Sequence, residues 1–137
     1  MFYNTKPCIA LFNPGYLRLT IDDYSEEDIE NEKNLIIHLT NNCFQTKHKQ
    51  YKEKKEQTIA KWDLIEKEVG LEAANQLKHQ IKLILVAVMA SAKRKLLAKM
   101  GTYELLGCDI IVGEDLKPYL LEVNTNPAMF TDTAVQK

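Results

Sequence analysis

The sequence predicts an α+β domain, mainly antiparallel sheet with packed helices, and three observations carry that reading. A stripe of apolar residues at helical spacing runs from Leu77 to Leu96. Two apolar runs, "CDIIV" and "PYLLEV", flank a polar "GEDLK" near the C-terminus and read as the arms of a β-hairpin. Near the N-terminus, "PCIALFNPGYLRLT" offers two short strands around a reversal made by Asn13, Pro14 and Gly15.

The elements follow in order. After the Asn-Pro-Gly strands comes an acidic patch, Asp22–Glu32, expected as a solvated loop or short helix. "NLIIHLTNN" offers a further short apolar strand ending at a Thr-Asn-Asn cluster. From Gln45 to Gln57 the chain is nearly all polar and rich in lysine, which predicts an exposed loop. A first helix then shows Ile59, Trp62, Ile65 and Val69 on one face, with Thr58 as N-cap and Gly70 as its end. A second carries Leu77, Ile81, Ile84, Leu85, Val88, Ala92 and Leu96. Between Leu83 and Ala90 it is apolar nearly all round, which predicts a buried middle. "TYELLGCDIIVGEDLKPYLLEVN" is the hairpin, and the final "FTDTAVQK" holds a helix start at Thr131 or Asp132. There is no internal repeat and no low-complexity linker.

Composition narrows the function classes. The chain has 137 residues, 45% of them hydrophobic and 27% charged, which suits one modest soluble domain or a piece of a larger one. A net charge of -1 argues against a general nucleic-acid binder. Cys8, Cys43 and Cys108 are widely spaced and form no zinc pattern, so reduced cytosolic thiols are expected. "MFYNTKPCIA" lacks the apolar core of a signal peptide, and "IKLILVAVMASA" is too short to span a bilayer. The expectation is a soluble intracellular protein with no membrane partner.

The hairpin carries the chemistry. Side chains two apart on a strand share a face, so Glu122 and Asn124 project together. With Asp115 and Leu116 at the tip, Asp109 falls opposite Glu122, and directly opposed Cβ atoms lie about 4.5–5.5 Å apart. Two carboxylates that close repel unless a cation or proton sits between them. Mg²⁺ suits such a set, because it takes hard oxygen ligands and commonly bridges carboxylates to phosphates. The same residue types also suit a solvated hairpin, and a slip of one residue would turn Glu122 to the other face.

"GCDIIVGEDLKPYLLEVNTNPAMFTDT" resembles the metal-binding end of the tubulin tyrosine ligase-like family, whose catalytic domain is of the ATP-grasp type. "IIHLTNNCFQ" matches that family's His-Leu-Thr-Asn block, and "GYLRLTIDDYSEED" resembles the arginine-bearing strand before it. Three blocks in the right order cover nearly the whole chain, and "LLGCD" and "EVNTNPA" lie nearest to the glycylase-like branch. The resemblance implies the C-terminal lobe of an ATP-grasp catalytic domain over residues 1–137. It also implies Mg²⁺-ligand roles for Asp109, Glu122 and Asn124, and contacts to ATP and its phosphates from Thr40 and Asn41. Arg18 matches an arginine that faces the phosphates and the acceptor carboxylate, for which a planar bidentate fork is apt. His38 is expected to hold its strand.

The reaction so implied is ATP-dependent amide formation. A glutamate carboxylate attacks the γ-phosphoryl of ATP to give an acyl phosphate, and the amine of a free amino acid, glycine by preference, displaces phosphate. Arg18 and Mg²⁺ would act by electrostatic stabilisation and positioning. The implied acceptors are tubulin or other proteins with acidic tails, in the cytoplasm, cytoskeleton or cilium. Lys47, Lys49, Lys52, Lys54 and Lys55 would attract such a tail, although Glu53 and Glu56 dilute the patch and favour a plain solvated loop. "FQTK" departs from the family's usual Gln followed directly by Lys, which weakens any role for Lys47. The phosphate-covering lysine, adenine slot and Asp-x-Arg segment of the family's earlier part are not found here, so an N-terminal nucleotide-binding part is expected elsewhere. The alternative is a truncated or non-catalytic relative that binds tubulin without turnover. Cys108, Trp62 and the apolar helix stripe are expected as core.

Overall fold

The structure, a computed structural model, describes residues 2–5, 8–25, 34–96, 99, 101–129 and 133–136. Along the chain run β1 (Phe2–Thr5), β2 (Cys8–Leu11), β3 (Leu17–Arg18), α1 (Leu35–His38), α2 (Asn42–Gln45) and α3 (Tyr51–Lys54). After a 3-10 turn over Lys55–Thr58 come β4 (Ile59–Ala60), α4 (Asp63–Val69), α5 (Leu71–Ala92), β5 (Glu104–Leu105), β6 (Gly107–Val112) and β7 (Pro118–Asn124). Helices and antiparallel strands are mixed as the sequence predicts. They group into two compact units.

The first unit comprises residues 1–14 and 65–129. It contains an antiparallel sheet of order β2-β1-β5 and the β6-β7 hairpin. α5 packs on β7, and its stripe of Ala74, Leu77, Ile81, Leu85 and Met89 is buried. Met89 and Leu106 form a core cluster against which Leu96 and Val123 pack. Gly70 ends α4 with φ +84°, the left-handed conformation that glycine adopts without a Cβ clash. A Lys78 Nζ to Glu66 Oε1 ion pair of 2.7 Å ties α5 to α4.

The second unit comprises residues 15–64 and 130–137. β3 and β4 pair Leu17 with Ala60 and Arg18 with Ile59. Its buried side chains among the described residues are polar: Gln45, Thr58 and Thr133. Gln45 is fully buried and fully used. Its Oε1 accepts from Ile21 N at 3.0 Å, while Nε2 donates to Ile36 O at 2.7 Å and Leu39 O at 2.8 Å.

Several expectations are corrected. "NLIIHLTNN" does not form a strand but holds α1, because Gln45 satisfies the carbonyls of Ile36 and Leu39 that a helix end would otherwise leave unpaired. The lysine-rich stretch is exposed as expected over much of its length, but it is not all loop: it begins at the last residue of α2 and carries α3 and most of the 3-10 turn. Thr58 is no N-cap. Its hydroxyl donates to Lys55 O at 2.7 Å, Ile59 and Ala60 pair as β4, and the helix begins at Asp63. The two N-terminal strands exist but pair with β1 and β4 rather than with each other. The middle of α5 is one-sided, with Leu83 56% and Val86 65% exposed. β5 pairs with β1 and lies outside the hairpin. The helix start at Thr131 or Asp132 falls outside the described residues.

Candidate metal and phosphate site

β6 and β7 pair in the register that matters. Gly107 faces Asn124, Cys108 faces Val123 and Asp109 faces Glu122. Beyond Asp109 the register shifts, so that Ile110 faces Leu120 and Val112 faces Pro118. The tip therefore spans Gly113–Lys117 and centres on Asp115, with Leu116 N bonded to Gly113 O at 2.9 Å and Gly113 N to Lys117 O at 3.0 Å. A tip at Asp115 and Leu116 is thus corrected by half a step. Leu121, unpaired in the bulge, makes up the difference and returns Glu122 to Asp109.

The bulge also sorts the faces. Directly opposed residues share a face, so Asp109, Glu122 and Asn124 stand on one side with the Ile111–Tyr119 pair. Leu120 and Val123, three apart, both share the other side with Ile110 and Cys108 because Leu121 absorbs the odd step. Burial at Cys108 pushes its thiol above the ordinary value of 9.0, and the adjacent Asp109 charge adds to that. Cys108 is therefore a partly buried thiol, not an activated nucleophile.

The amide of Asn124 donates from Nδ2 to Glu122 Oε1 at 3.1 Å. That bond leaves Asn124 Oδ1 and the second Glu122 oxygen with acceptor capacity. Two carboxylates and an amide oxygen on facing strands fit a hard divalent cation such as Mg²⁺. Among the described residues no group of three or more His, Cys, Asp or Glu side chains is placed to hold a metal ion; the set here has two carboxylates and an amide.

Arg18, Thr40 and Asn41 belong to the second unit. Arg18 lies on β3, exposed, with its guanidinium 5.9 Å from the Tyr16 ring centroid and Nη2 3.5 Å from the Tyr16 hydroxyl. Asn41 Oδ1 accepts from Cys43 N at 3.0 Å, capping α2, and its Nδ2 retains donor capacity. Thr40 is exposed beside it. His38 packs edge-on against Tyr24, ring centroids 5.4 Å apart, and ends α1 rather than holding a strand. Its Nε2, however, is buried without a hydrogen-bond partner among the described residues. A buried polar atom without a partner is rare in folded proteins and fits a ligand oxygen at the His-Leu-Thr-Asn block.

Gln45 is the residue sequence reasoning missed. It joins the segment that follows Arg18 to the one that precedes Thr40. Its one signal was its place at the end of the quoted "IIHLTNNCFQ" block, since propensity alone cannot distinguish a glutamine there from a surface residue.

An α+β chain with a carboxylate–amide hairpin and a His-Leu-Thr-Asn block defines a class that comparison with known proteins identifies. The profile described as the tubulin-tyrosine ligase family matches residues 8–137, and the chain belongs to that family. Protein polyglycylase TTLL10 of Macaca fascicularis is 31% identical over 97% of this chain and 23% of its own length. The human relative, named inactive polyglycylase TTLL10, is 32% identical over 97% of this chain and 21% of its own length. The probable alpha-tubulin polyglutamylase Ttll1 of Tetrahymena thermophila is 28% identical over 94% of this chain and 32% of its own length. The chain thus spans about a fifth to a third of the length of these relatives. No solved structure gives a significant match.

Proposed function

We propose that this chain is the metal- and phosphate-holding part of an ATP-grasp ligase that adds amino acids, glycine by preference, to glutamate side chains of tubulin or a similarly acidic protein. The observation that carries the reading is the hairpin register, with Asp109 facing Glu122 and Asn124 bonded to Glu122 Oε1 at 3.1 Å. Asp109, Glu122 and Asn124 would hold Mg²⁺ with ATP. Mg²⁺-ATP would supply the phosphoryl group that activates the acceptor carboxylate, with phosphate leaving when the amine forms the amide. The three side chains need exchange no proton; they orient. Thr40 and the Asn41 amide would donate to phosphate oxygens, and Arg18 would pair with phosphate or the acceptor carboxylate through its planar fork. The polyglycylase relatives support glycine, and the polyglutamylase relative keeps glutamate in play. The relatives are several times longer than this chain, and a protein of that kind would act in the cytoplasm, on the cytoskeleton or in cilia. Among the described residues no helix is long and apolar enough to cross a membrane.

A second reading is a family member without turnover, supported by the human relative named inactive. Calorimetry separates the two at the site. Mg²⁺-dependent ATP binding is expected in the wild-type protein and lost in Glu122→Gln. In the full-length protein Glu122→Gln should abolish ATP-dependent amino-acid addition to acidic tails with the circular dichroism spectrum unchanged. Retained turnover in that variant would remove Glu122 from the metal.

A further inference from the structure

Gln45 has no accessible surface, and its terminal amide is engaged in one orientation only. The Ile21 amide can donate only to its oxygen, and the carbonyls of Ile36 and Leu39 can accept only from its nitrogen. A flipped amide would lose all three bonds. All three bear on residues proposed for the phosphate site.

The first acts at the end of α1. In a continuing α-helix Thr40 N–H would donate to Ile36 O, four residues back. Gln45 Nε2 takes that carbonyl instead, at 2.7 Å. Leu39 N still bonds back to Leu35 O at 2.9 Å, and Leu39 itself turns extended, at φ -103° and ψ 103°. Thr40 N–H is thereby released, and it has no acceptor among the described residues. The second bond sets where that N–H points. Gln45 Nε2 also holds Leu39 O at 2.8 Å, and this carbonyl belongs to the same peptide as Thr40 N–H. In a planar trans peptide the two groups point in opposite directions. A carbonyl turned to buried Gln45 therefore turns the N–H away from it, at an exposed residue. The third bond bears on Arg18. Leu19 N donates to Thr58 O at 2.9 Å and Ile21 N to Gln45 Oε1 at 3.0 Å, which holds the residues that follow Arg18.

From this we infer that Gln45 is a positioning residue: it ends α1 at Leu39 and presents Thr40 N–H, in a frame shared with Arg18, as a fixed donor to a bound phosphate. The inference rests on the proposed ligase reading for the phosphate itself. Gln45 touches no substrate atom. It acts by ordering the Thr40 peptide before the ligand arrives, so that binding does not bear that cost.

The test is heteronuclear NMR on the isotope-labelled chain, first free and then titrated with Mg²⁺-ATP, with calorimetry for affinity. In the free protein the Thr40 amide should exchange with solvent much faster than that of Ile21. A protected Thr40 amide would overturn the inference whatever the ligand does. On titration the Thr40 amide is expected to shift. Thr40→Pro removes the N–H and suits an extended Leu39, and it should weaken binding about tenfold or more. Thr40→Ala keeps the N–H and should weaken it less. Gln45→Ala should match Thr40→Pro in affinity and lose the Thr40 shift, with the circular dichroism spectrum unchanged. Gln45→Glu keeps the acceptor for Ile21 N but not the two donors. Its Ile21 amide should stay protected while the Thr40 shift is lost, a split that general loosening of the unit would not produce. Thr40 is exposed, so its two variants still decide should the Gln45 variants fail to fold. Equal affinities for Thr40→Pro and Thr40→Ala, or wild-type affinity in Gln45→Ala, would overturn the inference. Binding that moves the amides of β6 and β7 but not that of Thr40 overturns it alone. Absence of Mg²⁺-ATP binding in the wild-type protein overturns the ligase reading as well.

Discussion

Gly107 shows how tightly the open end of the hairpin is built. It faces Asn124 in the ladder, and a Cβ added there would meet Pro127 Cβ at 2.8 Å. A ring carbon cannot swing aside as the end of a flexible side chain would, so the Asn124–Pro127 turn must move. Gly107→Ala is therefore expected to displace Asn124 and to weaken Mg²⁺-ATP binding about tenfold or more, a loss that calorimetry beside Glu122→Gln would register. At this scale much was readable in advance. Strand alternation joins Glu122 to Asn124, and the expected pairing of Asp109 with Glu122 is met, although through the Leu121 bulge rather than through the tip assumed for it. Gln45 was not readable, since its role depends on three backbone groups brought together only by folding. His38 was expected to hold a strand; it ends α1 instead, against Tyr24, and its buried Nε2, without a hydrogen-bond partner among the described residues, has no counterpart in the sequence.

Among the elements, α5 was the most legible because its buried positions repeat at helical spacing. What periodicity could not say is how much of the remaining surface is covered. Leu77 is 1% exposed and Leu83 56% exposed on the same helix. Leu77→Ala should cost about 2–5 kcal/mol in chemical denaturation, and Leu83→Ser less than about 0.5 kcal/mol. Equal effects at the two positions would mean that the exposed face is covered in solution. The short elements were poorly legible for the opposite reason. α1, α2 and α3 each span a single turn and bury almost no apolar surface. Hydrogen bonds from Gln45, Thr58 and Asn41 define them, and such bonds leave no period in a sequence.

The two units differ in what holds them. Every fully buried hydrophobic side chain among the described residues lies in the first unit, whereas Gln45, Thr58 and Thr133 are the buried ones of the second. Apolar burial supplies most of the drive to fold, and a network of hydrogen bonds supplies less net free energy per group. Amide hydrogen exchange should therefore find the slowest protons between Leu77 and Met89 and much faster ones between Asn42 and Thr58. Uniform protection across both units would contradict this. Bound Mg²⁺-ATP should slow exchange in β6 and β7, because a ligand stabilises the state that binds it. Family membership was legible in three short blocks of residues, while the division into units was not, because it arises from contacts between segments far apart in the chain.

The unpaired Leu121 has a consequence for how this hairpin changes length over evolution. Without it, Pro118 to Asn124 would alternate in strict parity, with Glu122 still opposite Asp109 and Val123 still inward. A single-residue deletion at that position is silent in the alternation and alters only the local twist. One residue lost between Glu122 and Asn124 would instead put the two on opposite faces. Natural length variation in β7 should accumulate at Leu121, where the ladder has slack, and spare the three positions from Glu122 to Asn124.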